Sequence, residues 1–146
     1  MLVVENASNE DVLRVAKLAA NALQEPLDPM DLAEKAATGR ASFLVAREVA
    51  TNDLVGFAVA EKDQTEGHLV AFAIDAQRRG QGIGRLLMRE LRADLARSGA
   101  MKMSLEVRFD DPRTQEFYRR HGFYPTGLAV GVYSDGSDAV KLERPL

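Results

Sequence analysis

One short segment of the chain has the composition of a phosphate-binding loop. From Gln77 to Gly84 it reads Q-R-R-G-Q-G-I-G, so that from Gly80 onward every second residue is a glycine. Glycine lets the backbone turn sharply and lets a ligand approach without meeting a Cβ atom. A helix that starts here adds free N–H groups and a partial positive charge, which suit a phosphate. The segment therefore predicts a pyrophosphate cradle of backbone amides, formed by Arg79, Gly80, Gln81, Gly82, Ile83, Gly84 and Arg85.

The glycine spacing disfavours two other phosphate-binding loops. A P-loop ends in a lysine followed by serine or threonine, and no such pair follows the glycines here. A Rossmann dinucleotide loop needs the spacing G-x-G-x-x-G close to the first strand of a parallel sheet. Gly80, Gly82 and Gly84 have a different spacing, and predicted hairpins flank them. A plain tight turn without a ligand is the alternative that these residues leave open.

The rest of the chain alternates between helical and strand patterns. Apolar residues recur every three or four positions after capping residues such as Ser8 with Asp11 and Asp28 with Pro29, a pattern that predicts helices. Three predicted helices cover about Val12–Leu23, Asp28–Gly39 and Asp111–Gly122, and another begins near Ile83 and ends at Ser98–Gly99. Short apolar runs bounded by turn residues predict strands. These cover Met1–Glu5, Ser42–Val49, Leu54–Glu61, His68–Asp75, Met101–Arg108, Phe123–Tyr133 and Ala139–Arg144.

The order of these elements is β-α-α-β-β-β-α-β-α-β-β. Hairpins combined with one strand–helix–strand crossover indicate an α/β fold with a mixed sheet of about seven strands and four helices. The length of 146 residues fits one domain, which we expect to span residues 1–146.

Composition excludes several classes of function. The chain has no cysteine, so it has no disulfide framework, thiolate metal site or cysteine nucleophile. A net charge of −3 gives no general reason to expect nucleic-acid binding. The longest strongly apolar stretch lies near Leu69–Ile74 and is far too short to span a membrane. The first residues do not resemble a signal peptide, so a cytoplasmic location is expected.

Two sequence blocks resemble the GNAT superfamily of N-acetyltransferases. The family signature Q/R-x-x-G-x-G/A is met twice, starting at Gln77 and again at Arg79. The block Glu116–Phe123 resembles the "FY-xxx-GF" helix end of the family. The spacing of the blocks and the order of elements agree over nearly the whole chain, although Ala76 stands where the family often has proline.

This resemblance implies acetyl-CoA as the donor, with no metal and no covalent enzyme intermediate. Family members open a V-shaped gap between the fourth and fifth strands, and the pantetheine arm pairs with the fourth strand there. The matching residues in this chain are Phe72, Ala73 and Ile74. A backbone N–H in the gap then polarises the acetyl carbonyl, as in a small oxyanion hole.

The resemblance also implies the residues that move protons. Tyr118 matches the family tyrosine that donates to the thiolate; ordinary pKa values are about 10 for tyrosine and about 8.5 for a thiol. The alternative for Tyr118 is a core aromatic side chain. Glu106 lies in a segment, L-E-V-R, that resembles alanine N-acetyltransferases acting on ribosomal-protein N-termini. It is the first candidate for the base, acting through a water, with an ion pair to Arg108 as the alternative. His68 and Glu66 are further candidate bases, expected near the mouth of the gap.

Other positions are expected at the donor site. Asp111 replaces an asparagine that helps to hold the donor in relatives; it keeps the helix-cap function but loses the amide donors. Arg79 and Arg85 are expected to meet phosphate, and Arg119 or Arg120 the 3′-phosphate, whereas Arg92 is interpreted as part of a solvated helix face.

The acceptor and the oligomeric state stay open at the level of sequence. The L-E-V-R segment points to a peptide or protein N-terminal amine, and a small-molecule amine is equally reasonable. Residues Leu23–Ala41, which help to shape the acceptor site in relatives, identify no acceptor. A non-catalytic CoA-binding regulatory module is the alternative function. The C-terminal hairpin Leu128–Leu146 offers an edge for a homodimer.

Overall fold

A seven-stranded mixed sheet runs through the centre of the molecule, with strand order β1-β2-β3-β4-β5-β7-β6. The computed structural model describes residues 1–23 and 26–146. The strands are β1 Leu2–Asn6, β2 Ala41–Glu48, β3 Leu54–Asp63, β4 Glu66–Ile74, β5 Lys102–Arg108, β6 Tyr124–Ala129 and β7 Ala139–Pro145. Neighbouring strands are antiparallel except for β4 and β5, which are parallel. The predicted mixed sheet and element order are confirmed.

Four α-helices cover the two faces of the sheet. They are α1 Val12–Ala22, α2 Pro29–Thr38, α3 Ile83–Arg97 and α4 Pro112–Arg120, with 3₁₀ turns at Asn9–Asp11 and Ala76–Arg78. Leu87, Leu91 and Leu95 of α3 share one buried cluster with Tyr118 of α4. A second cluster joins α1 and α2 to the sheet. Helices α3 and α4 therefore pack on one face, and α1 and α2 pack on the other.

Local capping explains where the helices begin and end. Asp28 accepts a hydrogen bond from the Met30 amide at 3.1 Å, and Gly39 ends α2 with a φ of +68°. The capping box predicted at Ser8 and Asp11 forms, but it starts the 3₁₀ turn that precedes α1 rather than α1 itself.

Some predicted bounds are wrong, most of all at the sixth strand. The prediction ran from Phe123 to Tyr133, but β6 ends at Ala129. The chain turns at Gly131, which has a φ of +65° and whose amide donates to the Asp138 carboxylate at 2.9 Å. Residues 130–138 therefore form a loop, called the β6–β7 loop below.

The other strand bounds differ from the predictions by at most two residues, and β4 starts at Glu66 rather than His68. Residues 24 and 25, part of the region that was expected to help shape the acceptor site, lie outside the described residues. None of the helices in the described ranges has both the length and the apolarity needed to cross a membrane.

Candidate active site

The parallel strands β4 and β5 separate soon after they begin. They pair only from Glu66 with Lys102 to His68 with Ser104, although β4 continues to Ile74 and β5 to Arg108. The backbones diverge beyond that point and open a cleft of about 1100 Å³ between them. This volume slightly exceeds the usual range for small-molecule sites and suits a long ligand.

A β-bulge shapes the β4 side of the cleft. Val59 of β3 faces Ala71, whereas Ala60 faces Leu69, so Val70 is an extra residue. A bulge bends a strand and changes the direction of its side chains. Beyond it, Phe72–Ile74 lie along the cleft as predicted and pair with β3 on their other side. In an antiparallel pair, only every second residue of a strand directs its backbone N–H and C=O groups toward a given neighbour. The other backbone N–H and C=O groups of Phe72–Ile74 therefore face the gap.

The glycine loop forms the next wall of the cleft. Gly80 and Gly82 have φ values of +80° and +81°, and a Cβ atom added to either would meet no protein atom within 4 Å. Gly82 caps α3, whose first turn starts at Ile83. The space above these two glycines and the free N–H groups of the first turn fit a pyrophosphate group. Donor phosphates would be held there by backbone amides, with Arg79 and Arg85 also on the cleft wall.

Two loop residues have contacts in addition to the role expected of their backbone amides. Gly84 also lies at the cleft, but an added Cβ would come within 3.2 Å of Phe117 Cε1. Its small size lets the start of α3 approach α4 closely, which is a packing role. Gln81 is not among the cleft residues, and its side-chain oxygen accepts from Arg78 Nε at 3.0 Å.

Tyr118 reaches the cleft from the buried side of α4. It is 7% exposed, and its ring makes edge-on contacts with Phe117 and Phe123, at centroid distances of 5.2 and 5.5 Å. The core interpretation and the cleft interpretation are thus compatible, since the ring packs in the core and also lines the cleft. Burial, followed by the negative charge of Asp111, raises the pKa of Tyr118 well above its usual value. The group is therefore a neutral hydroxyl throughout the physiological range.

Glu106 lies on β5, on the other side of the gap. Leu105 and Val107 point into the α3–α4 core, so the exposed Glu106 extends from the opposite face of the strand and lines the cleft. The alternative prediction of an ion pair with Arg108 is wrong. Within the described ranges, the Glu106 carboxylate has no hydrogen bond or ion pair, and Arg108 pairs with Asp110 and Asp135 instead.

The two other candidate bases are at the wrong end of the gap. His68 and Glu66 belong to the three residue pairs where β4 and β5 are still joined, so they lie at the closed end rather than the mouth. His68 Nδ1 is 2.8 Å from Ser104 Oγ, and neither residue lines the cleft. This bond across the paired strands gives His68 a structural role.

Asp111 caps α4 as predicted. One carboxylate oxygen accepts from the Thr114 amide at 3.2 Å, and the other accepts from Thr114 Oγ1 at 2.6 Å. Asp111 also lines the cleft, where its charge helps to raise the pKa of Tyr118.

The β6–β7 loop is attached to the end of β5 by Arg108. The guanidinium donates to Ser137 Oγ at 2.8 Å and to the Asp135 carboxylate, and it lies 4.7 Å from the centre of the Tyr133 ring. Hydrogen bonds from Ser137 and then from Arg108 lower the pKa of Asp135 to about 2. Tyr133 and Arg108 line the cleft near Glu106. The sequence prediction missed Tyr133 because its apolar neighbours alternate as they would in a strand.

The two arginines at the end of α4 differ in their position relative to the cleft. Arg120 lines the cleft but is paired with Glu116 at 3.3 Å, and Arg119 is not among the cleft residues. Residues 1–23 and 26–146 contain no cluster of three or more His, Asp or Glu side chains placed to hold a metal ion.

Comparison with known proteins connects this geometry to a family. Residues 11–123 match the sequence profile of the acetyltransferase (GNAT) family. N-alpha-acetyltransferase RimI of Mycobacterium tuberculosis is 33% identical over 141 residues, covering 92% of this chain and 86% of that protein. Streptothricin acetyltransferase of Streptomyces lavendulae is 37% identical over 103 residues, covering 66% and 54% of the two chains. The crystal structure of Ard1 from Thermoplasma volcanium has a TM-score of 0.91 at 28% identity and covers 99% of this chain and 97% of that one.

The resemblance inferred from the glycine loop and the α4 block is confirmed by the profile match and by the relative covering most of the chain. The cleft geometry agrees with it, because the loop, the split strands and Tyr118 converge on one space. The chain therefore belongs to the GNAT family of acetyltransferases, and it is an N-acetyltransferase that takes its acetyl group from acetyl-CoA.

Proposed function

We propose that the acceptor is the α-amine at the N-terminus of a peptide or protein, and that Glu106 and Tyr118 handle the proton transfers. The observation that carries this proposal is their position on opposite faces of the split sheet. Glu106 extends toward the α1–α2 face, whereas Tyr118 comes from α4 on the other face. A donor held by the glycine loop and an acceptor entering past Glu106 would therefore meet between β4 and β5.

The chain's own residues supply the steps around the transfer. Acetyl-CoA supplies an acetyl carbon activated as a thioester. Backbone N–H groups of Phe72–Ile74 that face the gap would hold the arm of the donor and polarise the acetyl oxygen. Glu106 accepts, through one water, the proton that the amine loses as its nitrogen bonds to the acetyl carbon.

Tyr118 acts on the sulfur atom of the thioester. Its hydroxyl donates to the thioester sulfur as the carbon–sulfur bond breaks, and it regains a proton from solvent. Because burial raises the Tyr118 pKa above the usual value, Tyr118 is a weaker acid than an exposed tyrosine. Its main contribution is therefore a hydrogen bond that stabilises the charge developing on sulfur, and full proton transfer follows late.

An extended peptide is supported by the side chains that line the acceptor end of the cleft. Val70, Glu106, Arg108 and Tyr133 combine apolar, charged and aromatic groups there, which suits a peptide backbone with its first side chains. The relative from Mycobacterium tuberculosis carries the name N-alpha-acetyltransferase, which favours the same class of amine.

A panel of acceptors tests the proposal. Short peptides with a free α-amine would be compared with the same peptides formylated at the N-terminus and carrying an internal lysine. Mass spectrometry would locate the acetyl group, and initial rates would give kcat/KM. We expect acetylation of the α-amine alone; acetylation only of lysine would contradict the proposal.

A small-molecule amine is the second candidate, favoured by the similarity to streptothricin acetyltransferase. The same panel would include polyamines and an aminoglycoside-like amine. A kcat/KM for a small amine above that of every peptide would assign the enzyme to this class instead.

We also propose a cytoplasmic location, because acetyl-CoA and newly made protein N-termini are both found there, and a homodimer. Support for a dimer comes from β6, an edge strand with exposed Tyr124 and Leu128. Cell fractionation tests the location, and sedimentation of the wild type against Leu128→Lys tests the dimer. A wild type that sediments as a monomer would contradict the dimer.

A further inference from the structure

Three arginines near the α3–α4 end of the cleft have no acidic partner. Arg85 and Arg92 belong to α3, and Arg144 belongs to β7. In the described part of the chain, none of the three has a carboxylate oxygen within 4.0 Å. Two other arginines of α3 do pair, Arg89 with Glu90 and Arg97 with Asp94. Arg85, Arg92 and Arg144 therefore keep their charge uncompensated, and we call them the α3–β7 arginine cluster.

The contacts of Arg144 and Arg92 do not neutralise their guanidinium charges. Arg144 donates to the carbonyl oxygens of His121 and Pro145, which carry no net charge. It packs so closely on Gly122 that an added Cβ would lie 2.7 Å from Arg144 Nη1. Arg92 Nε is buried and has no hydrogen-bond partner among the described residues. A buried donor without a partner costs free energy that a bound acceptor would recover.

His121 connects the cluster to the cleft. Its ring packs on Phe117 at a centroid distance of 4.6 Å, and both His121 and Arg85 line the cleft. Burial, followed by the charges of Arg85, Arg92 and Arg144, lowers the pKa of His121. Arg85 lines the cleft beside the glycine loop, and Arg92 and Arg144 extend the positive region beyond the cleft lining, next to His121. This region lies on the other side of the sheet from Glu106.

We propose that Arg85, Arg92 and Arg144 bind the phosphomonoester on the ribose of the donor, its 3′-phosphate, and that the enzyme thereby selects CoA over 3′-dephospho-CoA. The inference rests on the donor site described above. Arg85 lies in the first turn of α3 beside the glycine loop, and Arg92 lies seven residues further, about 10 Å along the helix. If the pyrophosphate of the donor lies on the glycine loop, the adjoining ribose would direct its 3′-phosphate along α3. Arginine suits a phosphate dianion because its donors form a planar fork.

This placement replaces the expectation that Arg119 or Arg120 would meet that phosphate. Arg120 is paired with Glu116, and Arg119, unlike Arg85, Arg92 and Arg144, is not among the charges that act on the cleft residue His121. It also replaces the interpretation of Arg92 as a solvated side chain, since its Nε is buried.

Calorimetric titration with CoA and with 3′-dephospho-CoA tests the proposal. We expect the wild type to bind CoA at least about tenfold more tightly, the scale of one charge-assisted hydrogen bond. Arg92→Gln should reduce this ratio severalfold while leaving the affinity for 3′-dephospho-CoA unchanged. Arg97→Gln, which removes the same charge from the same helix, should keep the wild-type ratio. Arg144→Gln should act like Arg92→Gln, and thermal unfolding would verify that each variant folds.

A second readout follows the chain's two histidines by NMR. CoA should raise the pKa of His121 because a phosphate dianion offsets the nearby arginines, and 3′-dephospho-CoA should raise it less. His68, at the closed end of the gap, serves as the internal reference.

Three results would overturn the proposal while the donor site stands. The first is equal affinity of the wild type for both ligands. The second is an equal loss of both affinities in Arg92→Gln. The third is a further rise in the unfolding temperature when inorganic phosphate is added to protein saturated with CoA, which would mean a separate anion site. Failure of the wild type to bind either ligand would instead overturn the donor site itself.

Discussion

The guanidinium of Arg108 lies 4.7 Å from the centre of the Tyr133 ring. The same guanidinium donates to Ser137 and Asp135, so one side chain at the end of β5 fixes three residues of the β6–β7 loop. Arg108 follows Glu106 by two residues and extends from the same face of the strand. The loop that borders the acceptor end is thereby coupled to the strand that carries the proposed base.

Replacing Arg108 should affect the acceptor more than the donor. Arg108→Ala removes the contacts of the guanidinium with the loop, so we expect the KM for a peptide to rise about tenfold, the scale of one lost charged hydrogen bond. The dissociation constant for acetyl-CoA should not change. Steady-state kinetics and calorimetry measure the two quantities. Arg108→Lys keeps the charge and should recover part of the loss, whereas an equal effect on donor and acceptor would contradict a role at the acceptor end.

Gly82 and Gly39 form a matched pair for testing the phosphate cradle. Both have positive φ values, +81° and +68°, and a Cβ atom on either would meet no protein atom within 4 Å. Alanine at such a conformation costs roughly 1–2 kcal/mol, so both variants should lose similar stability. Only Gly82→Ala places its methyl group over the cradle, and its dissociation constant for acetyl-CoA should rise at least about tenfold. Calorimetry would decide, and an equal donor affinity in the two variants would mean that the loop is a plain turn.

Tyr118→Phe should lower kcat with little effect on donor binding. The substitution keeps the ring contacts and removes only the hydroxyl, so we expect kcat to fall about 100-fold, the lower end for a proton-transfer group. Because the pKa of Tyr118 is raised, the wild-type rate should show no decline from loss of its proton up to pH 10. Tyr124→Phe, at an exposed position of β6, is the control. Unchanged kcat in Tyr118→Phe would leave this tyrosine with its packing role alone.

Glu106→Gln should slow transfer by removing the proton acceptor. We expect kcat/KM to fall about 100-fold or more, and the loss should become smaller at high pH, where more of the amine is already unprotonated. Glu66→Gln is the control at the closed end of the gap and should have wild-type rates. Equal pH–rate profiles for the wild type and Glu106→Gln would exclude Glu106 as the base.

The ion pair of Asp11 and Arg47 should make the free energy of unfolding depend on pH in the acid range. Arg47 Nη2 donates to Asp11 Oδ1 at 2.8 Å. Burial alone would raise the pKa of Asp11, but hydrogen bonds from Ser8 and Arg47 outweigh it and the pKa is lowered. This stabilisation is complete above the unfolded pKa of about 3.9 and is lost as pH falls through the lower folded value.

Asp11→Asn should therefore lower the free energy of unfolding by about 1–3 kcal/mol at pH 7. The loss should not be larger, because Arg47 keeps Glu5 as a second partner. The difference from the wild type should shrink as pH falls below about 4. Urea unfolding at several pH values measures it, and a constant difference would rule out the ion pair as its source.

The sequence was sufficient for the parts of the site that depend on local backbone geometry. Glycine spacing identified the loop because Gly80 and Gly82 need positive φ values, which side chains with a Cβ rarely adopt. Asp111 was identified as a cap because its carboxylate acts on the helix that follows it in sequence.

Features that depend on pairing between distant segments could not be predicted in this way. The location of His68 depends on how many residues of β4 and β5 pair, and the sequence does not encode that number in any local pattern. The β6–β7 loop was assigned to a strand because alternating apolar residues hide the turn at Gly131, and Arg108 reaches it from 27 and 29 residues away at Asp135 and Ser137. The packing role of Gly84 required knowledge of the position of Phe117.

The most direct test of the central claim is the affinity of a bisubstrate, in which CoA is joined through an acetyl bridge to the α-amine of a short peptide. If donor and acceptor meet between β4 and β5, calorimetry should give a dissociation constant at least about 100-fold lower than that of acetyl-CoA. Gly82→Ala and Arg108→Ala should each weaken its binding, because they act on opposite ends of the same cleft. A bisubstrate that binds no more tightly than acetyl-CoA, or whose affinity is unchanged by Arg108→Ala, would contradict transfer to a peptide amine across this gap.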